Sequence, residues 1–161
     1  GDGLAGTVAD DAGRYIFKRD RLHTSNQIMA IKEESVTDQK NSLTVCLDNI
    51  LRHAGITRNT EYDLAQGKTA IQILEENMTG VQVLDLSGCS LDAVLYYVNQ
   101  DIPVLAILED GEAVLVTGFN EFNVVIMEPS TGKLYKKGMN DATTWFAENG
   151  NHFISYMKIE N

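Results

Sequence analysis

Bases are scarce in this 161-residue chain. Thirteen Lys and Arg stand against 23 Asp and Glu, a net charge of −10. That balance excludes a nucleic-acid binder working through a basic face, because a phosphate backbone needs cations opposite it. Cysteine is scarce too: Cys46 and Cys89 are the only two. Their spacing makes neither a zinc site nor a disulfide framework, and both stand in apolar-patterned surroundings, as buried thiols do. The three histidines, His23, His53 and His152, lie far apart and lack metal-ligand spacing. No apolar run approaches the ~18 residues that span a bilayer, so no membrane insertion by this segment is expected. Internal repeats, low-complexity tracts and a second domain are also missing.

What is there is ordinary for a globular domain. Apolar residues make up 43% and charged residues 22%, and the length suits one domain with a substantial core. Residues 1–13, "GDGLAGTVADDAG", are Gly/Asp-rich and read as a flexible lead-in; 14–161 read as a single domain. The chain opens with neither Met nor a signal peptide. It therefore reads as a piece of a longer protein, with any targeting or anchoring segment, and an extracytoplasmic or tethered location, expected outside it.

Three helices are legible in the first half. "NSLTVCLDNILRHAG" puts Leu43, Cys46, Leu47, Ile50, Leu51 and Ala54 on one face, with Asn41 or Ser42 as its cap and Gly55 as its stop. "GKTAIQILEENMTG" follows, its stripe Ala70, Ile71, Leu74 and Met78. After the short strand "VQVLDL", Ser90 caps "LDAVLYYVNQ". The pattern then changes to short β-rich runs, "IPVLAIL", "AVLVTGF", "NVVIM" and "KLYKK". A helix in "DATTWFAENG" and a strand in "HFISYMKI" close the chain. Helices first and an antiparallel sheet afterwards is an α+β layout. "RYIFKRDRLH" reads as an early strand, and "TSNQIMAIKEES" fits helix or extended chain equally.

No cofactor motif stands up. "GKT" at Gly67 to Thr69 lacks the earlier glycine of a phosphate loop, which would fall at Tyr62, and serves a helix start instead. "NMT" at Asn77 to Thr79 is a glycosylation triplet common by chance. Ser42 and Cys46 are more informative. A nucleophile at a helix N-terminus gains from the dipole and the free N–H groups. Ser42 holds that position, whereas Cys46 lies one turn further in. Read plainly, Ser42 is a cap and Cys46 is packing. Two carboxylates also mark strand mouths: Glu112 opens "AVLVTGF", and Glu128 closes "NVVIM" before Pro129. Taken alone, Glu112 is a solvated turn acid and Glu128 a corner acid bonding the "PSTG" turn. A hard cation held by Ser42, Glu112 and Glu128 is a further option.

These segments together resemble the bacteriocin-processing (double-glycine) cysteine peptidases, which are papain-like. There the catalytic thiol opens a helix of the form D-C-G-x-x-C-L-x-M-I-L that ends at glycine. In "NSLTVCLDNILRHAG" the second cysteine matches Cys46, its leucine Leu47 and the final glycine Gly55, so the catalytic cysteine falls on Ser42. The family's H-A-V-L-V-x-G-Y-D strand resembles "EAVLVTGFN", and its D-P-x-x-G corner resembles "EPSTG". The histidine position is then Glu112 and the aspartate position Glu128, sixteen residues on. Gln39 is the nearby candidate for the oxyanion glutamine, at a spacing shorter than the family's.

The resemblance implies a papain-like α+β domain whose chemistry has been replaced. A carboxylate is a poor base for a serine hydroxyl, and two acids cannot reproduce a His–Asp pair. The expected function is a catalytically inactive, peptide- or protein-binding module of a larger bacterial protein. Its binding cleft would be formed by Asn41, Ser42, Glu112 and Glu128 and would favour basic segments, with no cofactor or metal. The alternative is an active cysteine peptidase or acyl transferase with a non-standard site, such as Cys89 with His152 or His23.

Overall fold

The structure is a computed structural model that describes residues 7–9, 15–17 and 41–159. Strands β1 (Thr7–Ala9) and β2 (Tyr15–Phe17) form a small antiparallel pair; β1 falls within the stretch read as a lead-in. The segments "TSNQIMAIKEES" and Gln39 lie outside the described residues.

Helix α1 (Ser42–His53) is followed by α2 (Glu61–Ala65), α3 (Ala70–Asn77) and strand β3 (Val81–Asp85). Helix α4 (Leu91–Val98) precedes β4 (Val104–Ile107), β5 (Ala113–Phe119), β6 (Asn123–Glu128) and β7 (Lys133–Gly138). Helix α5 (Met139–Glu148) and β8 (His152–Lys158) complete the chain. Six strands form one antiparallel sheet in the order β3-β8-β4-β5-β6-β7. The α+β layout expected from the sequence is the observed one.

Local chemistry explains the helix limits. Asn41 caps α1: its side-chain oxygen accepts from the Thr44 amide at 2.7 Å. At the other end Gly55 takes φ +86°, its amide donates to Arg52 O, and the Ile56 amide reaches back to Leu51 O. That pair of bonds is a Schellman stop, which needs a left-handed residue. Thr69 and Gln72 form a reciprocal capping box at α3, so "GKT" does start a helix. Helix α2 was not legible in the sequence.

The sheet is covered on both faces, which is why β5 is buried along its whole length. Helices α1 and α3 pack over one face, with Leu47, Ile50, Leu51, Ile73 and Leu74 against Leu105, Leu115 and Met127. Helices α4 and α5 pack over the other, with Leu91, Leu95 and Phe146 against Val104, Val116 and Phe153. β7 is an edge strand carrying Lys133, Lys136 and Lys137, charges that discourage pairing with another chain.

Candidate functional site

The N-terminus of α1 docks on the start of β5. Because Asn41 takes the capping role, the Ser42 hydroxyl is left for a tertiary contact. It accepts a hydrogen bond from the Ala113 amide at 2.7 Å, across 71 residues of sequence. Ser42 and the residue after Glu112 are thereby brought together.

Glu112 is set by a tight hairpin. Its amide donates to Asp110 Oδ1 at 2.9 Å, and its carbonyl accepts from the Leu108 amide at 2.7 Å. Gly111, at φ +86°, gives the turn its left-handed residue. The Glu112 side chain is exposed to solvent.

Glu128 faces the other corner. One carboxylate oxygen accepts from both the Ser130 amide and the Ser130 hydroxyl at 3.1 Å, and its carbonyl accepts from the Gly132 amide at 2.8 Å. The acid therefore builds the "PSTG" turn, the plain reading of that residue. Its charge is also felt by Cys46. Burial, and then the Glu128 charge, push the Cys46 thiol well above its ordinary range. Cys46 is fully buried, one turn inside Ser42, and is a packing residue in this arrangement.

The described histidines stand elsewhere. His53 sits at the far end of α1 from Ser42, roughly 16 Å along the axis, with Nε2 3.0 Å from the Asp101 carbonyl. His152 opens β8 and lies 3.7 Å from Glu109 Oε1. Register places Ala113 opposite Ile107 and Ile107 opposite His152, so two strand spacings, roughly 10 Å, separate the backbones of Ala113 and His152. Cys89 packs on the α4 side with Phe153, whereas His152 alternates onto the opposite face. Cys89 and His152 thus point to opposite faces, although the Gly88 amide bonds the Asn151 carbonyl at 2.9 Å and brings their backbones close; His23 lies outside the described residues.

Strand β5 is internal to the sheet, paired with both β4 and β6. Ser42 and Glu112 lie at the start of β5, where β4 pairs from Ala113 but β6 pairs only from Leu115, and the Ala113 amide is taken by Ser42.

Among the described residues, no three His, Cys, Asp or Glu side chains converge as metal ligands, and no helix is long and apolar enough to cross a membrane. Other features had no readable signal. Asp48 on α1 accepts from the Thr60 amide and hydroxyl, both at 2.9 Å, and locks the loop after α1. Arg58 donates to Asp63 at 2.8 Å and holds α2. Both depend on loop geometry, although an acid on the inner face of an apolar helix stripe, as Asp48 is, hints at a buried partner.

Neither a protein-family profile nor a curated protein sequence matches the chain. In three dimensions it is similar to the crystal structure of a protein from Bacillus anthracis designated a C39-like peptidase, at a TM-score of 0.65 and 15% identity. The match covers 87% of this chain and 98% of that one. At that identity the likeness shows the fold: helices and an antiparallel six-stranded sheet arranged as in a C39-like peptidase.

Proposed function

We propose that this domain is a catalytically inactive peptidase-like module, part of a larger bacterial protein, that binds a peptide or protein segment where α1 meets β5. The observation that carries this reading is the hydrogen bond from the Ala113 amide to Ser42 Oγ. It sets the helix that the resemblance gives the nucleophile position against the strand that it gives the base position, where Glu112 is exposed, and so supports the reading.

The chemistry argues for holding over cutting. A serine hydroxyl needs a general base that titrates near neutrality, and a carboxylate is far too acidic for that work. Glu128, the second acid, is spent on Ser130. The only thiol near the helix N-terminus is buried and held protonated. What is left is a helix N-terminus beside acidic side chains on a chain of net charge −10. Such a field speeds association with cationic partners and weakens with salt.

The test is a peptide titration followed by amide NMR, with product analysis in parallel. Basic peptides should shift the Ser42 and Ala113 signals saturably and should remain intact. Hydrolysis that disappears in Ser42→Ala would overturn the proposal.

A further inference from the structure

The Ser42 contact lies at one end of a registered row. Ala113, Ile107 and His152 stand opposite one another across β5, β4 and β8. Directly opposed residues share a sheet face, so all three belong to the side covered by α1. At the far end of the row is a cleft of about 370 Å³, within the usual size range for small-ligand sites, which starts near ~300 Å³.

Its lining has two parts. Ile107, Leu108 and Ile154 supply an apolar wall; Asp85, Ser87, Glu109 and His152 supply a polar one. No Lys or Arg is among these residues. The polar wall is built from several elements. Asp85 ends β3, and its Oδ1 accepts from the Ser87 amide at 3.0 Å. Bonds from Ser87, side chain first and then backbone, hold the Asp85 carboxyl below its usual range. Glu109 is anchored through its amide to Asn149 Oδ1 at 3.1 Å. Gly150 lies against the His152–Glu109 pair: a Cβ there would stand 2.6 Å from His152 Nε2 and 2.8 Å from Glu109 Oε1. His152 Nε2 and Glu109 Oε1 are 3.7 Å apart, longer than a hydrogen bond and an ion-pair distance only when His152 is protonated.

A hydrocarbon wall beside two carboxylates matches one ligand chemistry. An anion would meet like charge from Asp85 and Glu109. A bare metal ion would need more converging ligands than the described residues bring together. An arginine or lysine side chain has both parts required, an aliphatic stem and a cationic head. We infer that this cleft takes the basic side chain of a bound segment, with the stem on Ile107, Leu108 and Ile154 and the head between Asp85 and Glu109. The inference rests on the peptide-binding reading above and refines it. A separation of roughly 10 Å along the row corresponds to about three residues of extended chain, so the basic residue lies about three positions from the one beside Ser42.

The experiment is an amide NMR titration of the whole chain with N-acetyl-arginine methylamide, N-acetyl-lysine methylamide and N-acetyl-norleucine methylamide. The two cationic amides should shift Asp85, Ser87, Glu109 and His152 saturably, and the norleucine amide should bind at least about fivefold more weakly. Glu109→Gln and Asp85→Asn should each weaken the cationic amides about fivefold. If Asp85→Asn unfolds through its link to Ser87, the exposed Glu109→Gln still decides. Equal shifts from all three amides, or unchanged binding in Glu109→Gln, would overturn the inference. Peptides that shift Ser42 and Ala113 with no preference for a basic residue would also overturn it, and would leave the peptide reading standing. Cationic amides that bind the cleft while no peptide perturbs Ser42 would remove the peptide reading and leave a cation site.

Discussion

Helices α1 and α4 pack on opposite faces of one sheet, each capped by a polar side chain at its start, yet they bury different things. The buried residues of α4 are Leu91, Val94, Leu95 and Val98, an apolar stripe and nothing more. Those of α1 include Thr44, Cys46 and Asp48 beside Val45, Leu47, Ile50 and Leu51. A helix that only closes a core gains most from apolar burial. One that must be aimed needs directional bonds. Asp48 ties α1 to Thr60, Asn41 fixes its first turn, and Ser42 meets Ala113. Of the two helices, α1 is tied down by directional polar bonds and α4 by apolar packing.

Mutations can break that contrast. The largest effect belongs to the α4 side. Phe146→Ala would open a cavity beside Phe153, whose ring centroid lies 5.3 Å away, and should cost about 3–5 kcal/mol in denaturant unfolding. If the two faces do separate tasks, peptide-induced shifts at Ser42 should survive in whatever fraction stays folded.

Asp48→Ala comes next. It leaves the buried Thr60 amide and hydroxyl without their carboxylate and should cost about 1–3 kcal/mol. Here stability and binding should fall together, because the loop that aims α1 is released. Loss of stability with binding unchanged would weaken the division drawn between the two helices.

Asn41→Ala removes the cap on α1 and should cost about 1 kcal/mol. The Ser90→Ala change at α4 removes the equivalent bond to the Ala93 amide and should cost a similar amount. Only the first should alter the Ser42 and Ala113 signals, which makes this pair the sharpest comparison of the two helices.

The smallest effect at neutral pH concerns Cys46. Its folded thiol titrates above the unfolded one because of burial and then Glu128. Stability from that group is full below the unfolded thiol range and falls as pH rises through it towards the folded value. Cys46→Ala should therefore flatten the alkaline limb of a stability–pH curve, after allowance for its lost packing. A thiol reagent at neutral pH should leave native Cys46 unmodified.

Much of the scaffold was legible because its signals are local. The apolar stripes on α1, α3 and α4 follow helical spacing, although the stripe expected on α3 lacked the buried Ile73 and the one on α1 included Ala54, which is exposed; Gly55 marks a stop that needs positive φ. The acid at Glu128 was readable as a turn builder, since Ser130 lies two residues away. Helix α2 was not, because five residues carry too little periodicity and the Arg58–Asp63 pair that holds it emerges only once the loop is folded. The sequence offered Asn41 or Ser42 as the cap of α1 and, read plainly, favoured Ser42; the structure gives that role to Asn41. Packing against β5 separated their roles.

The order of residues alone determined the helix and strand segments, the acidic balance and the resemblance that suggested a thiol position at Ser42 and an imidazole position at Glu112. Those depend on neighbours a few positions apart or on composition. Only the tertiary structure decided that β8 inserts between β3 and β4, that β5 is internal, and that Asp85, Glu109 and His152 border one cleft beside Ile107. Strand order and clefts arise from contacts between distant segments, and no short stretch of the chain encodes them by itself.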